Sequence, residues 1–259
     1  MNKMSVAMQL GAVVAVFAVA GGVKGITGMG LPTVAMSLLG LWLSTEHAAA
    51  LLVLPSLVTN VAQCRGPHLR QLSQRLWPGW LAIALVTAFA PGLGGGGGGS
   101  QASRWLGVVL VGYGLWGLWR PVLPDLSGSG RWLGGLVGLA TGLVTSFTAV
   151  FVLPWVPYLQ SLRLDKDAMV QALGLSFTVA TLALACRLQV SAMVSGGAGG
   201  GAAWMSALSV LEVGGALVGA FAGLSVGERL RGRLAGPAFQ KTLFGVFMAL
   251  GLANLLRAL

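Results

Sequence analysis

Residues 18–36 read "AVAGGVKGITGMGLPTVAM": five glycines, a lysine and a proline set into an otherwise apolar run. In water the stretch would be a loop between helices. In a bilayer every backbone group it frees must find a partner inside the protein. The solvent therefore decides the reading, and composition decides the solvent. Apolar residues make up 56% of the chain and charged residues 8%, with a mean hydropathy of +0.84. A soluble domain carries about 25% charged residues, so this chain lacks the charge to cover a water-facing surface. It reads as an all-α polytopic membrane protein. No small-residue cleavage site is followed by a hydrophilic mature chain, so the first apolar stretch reads as a retained membrane helix.

The net charge of +10 does not point to nucleic acid, because no polar domain exists to carry a basic groove. The Lys and Arg residues sit in short connections between apolar runs, as the positive-inside rule places them. Cys64 and Cys186 each precede an Arg at the end of such a run. Their surroundings lack metal-ligand spacing, and neither a metal nor a cofactor is expected.

Ten apolar segments follow one another: 4–22, 31–43, 48–64, 77–93, 105–119, 132–143, 150–162, 168–186, 202–226 and 239–256. A hydrocarbon core of ~30 Å needs ~20 helical residues. Segments 31–43 and 150–162 would rise only about 20 Å each, so they read as half-helices or re-entrant pieces. The first five segments match the second five in order. "STEHAAALLVLPSLVTNVAQCR" aligns with "LDKDAMVQALGLSFTVATLALACR", and a Gly-rich stretch ending in Pro occurs at Gly21–Pro32 and again at Gly138–Pro154. The chain thus divides into two membrane repeats, residues 1–125 and 126–259.

Charge indicates how the repeats are related. The basic connection after the third segment holds Arg65, Arg70 and Arg75, whereas in the second half the basic connection comes one place later, from Arg229 to Lys241. Equivalent connections then lie on opposite faces, and the repeats are expected to be inverted. Alternating the faces puts twelve of the 16 Lys and Arg residues on the cytoplasmic side. Gly94–Gly99 reads as a flexible outer loop; it lacks the GK[ST] of a phosphate-binding loop.

Transporters built from inverted repeats bind substrate at the repeat interface, between interrupted helices. The interrupted stretches supply the candidate substrate site: Lys24, Gly25, Thr27, Gly28, Met29, Gly30 and Pro32 from the first, and Thr141, Gly142, Thr145, Ser146, Phe147, Thr148 and Pro154 from the second. A half-helix starting near Met29–Pro32 would aim free N–H groups and a positive dipole end at an anion, and Lys24 and the hydroxyls would add donors. Asn60 and Ser176 are candidate polar linings. Two plainer readings stand beside these: the glycines serve close helix packing, and Lys24 snorkels to the headgroups. Glu212 is a lone carboxylate near the middle of segment 202–226, a candidate proton-coupling residue. Glu46, His47, Asp165 and Asp167 fall at membrane boundaries and are expected to be solvated. The chain has no catalytic constellation, so an enzyme is not expected.

The repeated Gly-rich break, with "GGVKGITGMGLPTVAMSLLGL", "GLVTSFTAVFVLPWVPYLQSL" and the closing "FQKTLFGVFMALGLANLLRAL", resembles the sulfite exporter TauE/SafE family, also called the toluene sulfonate uptake permease family. The resemblance covers essentially the whole chain. It implies a secondary transporter of a small, sulfur-containing oxyanion such as sulfite or an organosulfonate, in a bacterial cytoplasmic membrane. Met29 and Phe147 stand where the family often has glycine, a departure that bears on the substrate more than on the fold. An anion channel sharing the site, or a non-transport membrane subunit, are the alternatives. The expected partners are the small anion, the lipid bilayer and coupled protons; oligomeric state is not legible.

Overall fold

The computed structural model describes residues 3–90, 98–119, 123–194, 208–234 and 236–258, and every regular element among them is an α-helix. The first five are α1 (Lys3–Thr27), α2 (Leu31–Leu39), α3 (Thr45–Gln63), α4 (Leu69–Phe89) and α5 (Gly98–Trp119). The second five are α6 (Arg131–Thr148), α7 (Trp155–Ser161), α8 (Lys166–Val194), α9 (Val210–Leu234) and α10 (Pro237–Arg257). Each group of five consists of a long helix, a short one, then three long ones. Among the described residues, α1, α8, α9 and α10 contain stretches long and apolar enough to cross a membrane.

The expected segments appear in order, with shifted ends. Helix α4 begins at Leu69, so Arg70 and Arg75 belong to its first two turns and not to a loop. Helix α1 runs straight through Gly21, Gly22 and Gly25 and ends only at Thr27. The reason is packing. A Cβ on Gly25 would stand 2.5 Å from the Leu224 carbonyl oxygen of α9, and one on Gly219 would stand 2.5 Å from that of Val14. These glycines let two backbones approach, as small residues do between membrane helices. Gly138 and Gly142 of α6 and Gly79 of α4 do the same where those two helices meet. The expected loop glycines Gly94–Gly97 lie outside the described residues, and Gly98 and Gly99 already belong to α5.

Contacts climb together along α1 and α9, from Gly215 beside Leu10 to Gly227 beside Gly22, so the two helices are parallel. The same holds for α4 and α6, from Gly79 beside Gly134 to Val86 beside Gly142. Helices α5 and α10 pack together, as do α3 and α8.

The basic connections gather at one end. Arg75 Nη2 donates to the Leu126 carbonyl at 3.0 Å, Arg163 Nη2 to that of Leu123 at 3.3 Å, and Arg231 Nε to that of Gly25 at 2.8 Å. At the other end Arg104 Nε donates to the Ala258 carbonyl at 2.9 Å, while Arg187 binds that of Ala90 and Arg257 that of Gly40. Each guanidinium reaches a carbonyl at a helix end or turn; that of Leu126 also accepts from Ser129 N–H at 3.0 Å.

Candidate functional site

The two helix breaks are built alike. Helix α1 ends with Gly28 N–H donating to the Lys24 carbonyl at 2.7 Å. Thr27 Oγ1 accepts from Met29 N–H at 3.2 Å and has the carbonyls of Val23, at 2.8 Å, and Met29, at 2.7 Å, within reach of its one proton. Helix α6 ends with Ala149 N–H donating to Thr145, while Thr148 Oγ1 donates to Val144 at 2.7 Å and accepts from Val150 N–H at 3.1 Å. In both, a threonine turns its hydroxyl back on the last turn, and the next residue is left-handed: Gly28 at φ 82° and Ala149 at φ 55°.

Beyond that point the breaks diverge. Gly30 is left-handed again (φ 98°) and sits at the N-cap of α2 without a side chain to cap it. Only glycine takes two such turns in three residues at little cost. The first N–H groups of α2 are therefore free of a side-chain acceptor, and the Thr33 hydroxyl in the same turn is buried without a partner. The second break is filled instead. Ala149, Val150, Phe151, Val152 and Trp155 are all buried, Phe151 packs on Phe177 at 5.1 Å, and the Leu153–Pro154 peptide is cis.

Lys24 is the side chain on which the first break turns. It is 1% exposed, so it does not snorkel to a surface. Its ammonium donates to Thr59 Oγ1 at 3.0 Å and to Asn60 Oδ1 on α3. The polarity is fixed on both sides. Thr59 spends its own proton on the Pro55 carbonyl at 2.7 Å, one of the carbonyls at the proline inside α3. Asn60 points its amide nitrogen at Thr181 Oγ1, 3.5 Å away on α8, and Thr181 donates onward to the Phe177 carbonyl at 2.6 Å. Asn60 and Thr181 are 121 residues apart, the same interval that separates Thr27 from Thr148 and Lys24 from Thr145. The lysine at this register has only a threonine as its counterpart. Among the described residues no carboxylate lies within ion-pair distance of Lys24, the ion pairs there being His47–Glu212 and His68–Asp165. A buried cation without a counter-ion is costly.

Around it, Gln63 Nε2 donates to the Gly28 carbonyl at 2.9 Å and fixes the break to the end of α3. Cys64 Sγ lies 3.4 Å from Thr178 Oγ1. A cavity of about 260 Å³ reaches the break from the end with the basic connections. Thr27, Met29 and Gly30 form its inner wall, Tyr113, Trp116, Phe244 and Phe247 its aromatic sides, and Leu123 and Gln160 its rim, beside Arg163. Lys24 lies one helical turn behind Thr27 and does not line it.

The other expected site residues are placed as follows. Gly25 packs on α9, and Pro32 sits in the first turn of α2. Thr141 and Thr145 donate to carbonyls of their own helix, Ser146 donates to Leu143, and Gly142 packs on Val86. Phe147 packs on Trp105 at 5.7 Å. Ser176 accepts from Trp80 Nε1 at 2.8 Å and ties α4 to α8. No described hydrogen bond joins these second-break residues to Lys24. Thr59, Gln63 and Thr181 complete the Lys24 site. Thr59 was legible only as the neighbour of Asn60, and Thr181 only through the repeat interval.

Glu212 does not lie mid-span. Helix α9 begins at Val210, and Glu212 stands in its first turn, accepting from Ser209 N–H and Oγ while Ser209 Oγ accepts from Glu212 N–H. This is a reciprocal cap. His47, expected in solvent, is half-buried, with Nε2 3.8 Å from Glu212.

These features define a class: a helical membrane protein with two interrupted helices, one of which carries a buried lysine with no carboxylate partner, one turn behind the wall of a cavity. A family model for the sulfite exporter TauE/SafE matches residues 13–254, and the chain belongs to that family. It is an integral membrane protein of a transporter family. No curated protein and no solved structure matches it.

Proposed function

We propose that the protein is a secondary transporter of a small oxyanion, sulfur-containing as the family's description suggests, in a bacterial cytoplasmic membrane. The observation that carries the reading is Lys24: a fully buried ammonium held by two neutral oxygens and no carboxylate, beside a helix start whose N–H groups have no side-chain cap. An anion would supply the missing charge, and the N-terminus of α2 and the Thr33 hydroxyl would supply further donors. The substrate site then comprises Lys24, Thr27, Gly28, Met29, Gly30 and Asn60, with Thr59 and Thr33 added.

The two units, residues 1–125 and 126–259, are inverted repeats in this reading, and alternating access comes from rocking one against the other. Three features support this. The element order repeats, the two breaks share one hydrogen-bond pattern, and the helices α1 and α6 run in opposite directions. Helix α1 ends near Arg231 at the basic end, whereas α6 starts there and reaches Trp105 near the start of α5. The cavity would make this the inward-facing state.

Uptake of labelled sulfite, organosulfonates and thiosulfate into proteoliposomes, with and without a pH gradient, tests the proposal. Saturable flux whose KM rises at least tenfold in Lys24→Met is expected. Absence of saturable flux with every anion, in folded protein, would overturn it.

A further inference from the structure

At the end opposite the cavity, three helices meet on one carboxylate. Glu212 Oε1 of α9 accepts from Gln9 Nε2 of α1 at 3.2 Å and lies 3.8 Å from His47 Nε2 of α3. That imidazole nitrogen is buried and has no hydrogen-bond partner. The contact is too long for a hydrogen bond and suited to an ion pair once the ring takes a proton.

The other charges nearby are accounted for. Arg187 of α8 binds the Ala90 carbonyl and has Glu46 near it, Arg104 of α5 binds that of Ala258, and Arg257 of α10 binds that of Gly40 at the turn before α3. Helix α2 presents no charged residue. Among the described side chains, His47 is the one basic group within ion-pair distance of Glu212. Histidine is the side chain whose charge ordinarily changes between about pH 5 and 8.

We infer that His47 and Glu212 form a proton-operated clasp across the face opposite the cavity, joining α3 to α9 when His47 is protonated. The proton is the ligand, and His47 Nε2 the atom that takes it. The placement gives the clasp leverage: α3 carries Thr59 and Asn60, and α9 packs along α1, which carries Lys24. Closing α3 on α9 holds the helices that grip Lys24 in their present arrangement, with the cavity open at the other end. The sign follows from linkage: a histidine that gains a carboxylate partner only in the closed state favours closure at low pH and releases it as pH rises. Only the consequence for flux rests on the transport reading.

The test is dipolar EPR on the full chain in nanodiscs, with nitroxides at exposed Trp42 and Leu211 and with Cys64 and Cys186 replaced by serine. Lowering the pH from 8 to 5.5 should shift the wild-type distances towards the short population. His47→Gln and Glu212→Gln, the latter keeping the reciprocal cap, should each lose that shift. A wild type insensitive to pH, or a shift that persists in either variant, would overturn the clasp. The readout needs no substrate, so failure of transport leaves it intact.

Discussion

The Lys24 ammonium of α1 donates to Thr59 Oγ1 of α3 at 3.0 Å, and the threonine's own proton is already committed to the Pro55 carbonyl. The lysine is thus held by acceptors that cannot neutralise it. An anion from outside the protein would supply the missing counter-charge, the role proposed for it above.

Replacing the charge separates function from folding. Lys24→Met keeps the length of the side chain; removing an unpaired buried cation offsets the loss of the donor to Thr59 and Asn60, so thermal stability in detergent should change little. Anion KM should rise at least tenfold, in line with about 1.5–3 kcal/mol for a lost hydrogen bond to a charged group. A melting curve and a flux titration on the same preparation check both halves.

The two threonine turns should respond differently. Thr27→Val and Thr148→Val each remove a hydroxyl that donates to one carbonyl and accepts one N–H, at about 1 kcal/mol of stability. Flux should suffer beyond that loss only in the Thr27 variant, because Thr27 lines the cavity and the second break is packed shut. Initial rates normalised to folded protein report the difference.

Gln63 should behave as a latch on the break. Gln63→Leu leaves the Gly28 carbonyl without its donor, at a cost of about 1–3 kcal/mol. Hydrogen exchange at Met29 and Gly30 should accelerate while the middle of α3 stays protected.

Close packing of α1 on α9 sets a position-dependent price for a methyl group. Gly219→Ala drives a Cβ to 2.5 Å from the Val14 carbonyl oxygen and should destabilise by about 1–3 kcal/mol. Gly214→Ala, on the same helix with nothing within 4 Å, should be neutral or slightly stabilising. Parallel thermal melts of the two variants distinguish packing from a general intolerance of substitution.

The helices and their order were legible because composition fixes the solvent and apolar runs mark the helices, and Lys24 drew notice because a lysine among glycines stands out. The place of the break was not. Gly21, Gly22 and Gly25 look the same in sequence as Gly28 and Gly30, yet the first three serve contact with α9 and the last two serve left-handed turns. What distinguishes them is a partner helix distant in the chain, with Gly21 against Ala220 and Gly25 against Leu224, which local pattern does not encode. Glu212 misled for a related reason: apolar residues precede it in the chain, and nothing local signals that the helix starts only at Val210 apart from Ser209, a weak cap signal. The hydroxyls of the second break were legible as donors, but threonine in a helix can bond its own preceding turn, and Thr141, Thr145 and Thr148 do.

Equilibrium binding of sulfite and of a simple organosulfonate to the purified protein, compared with Lys24→Met at matched thermal stability, addresses the anion site most directly. Saturable binding of at least one of these anions by the wild type, weakened tenfold or more in Lys24→Met, is the expected result. Equal affinity in the two proteins would contradict the assignment of Lys24 as the cation of the site.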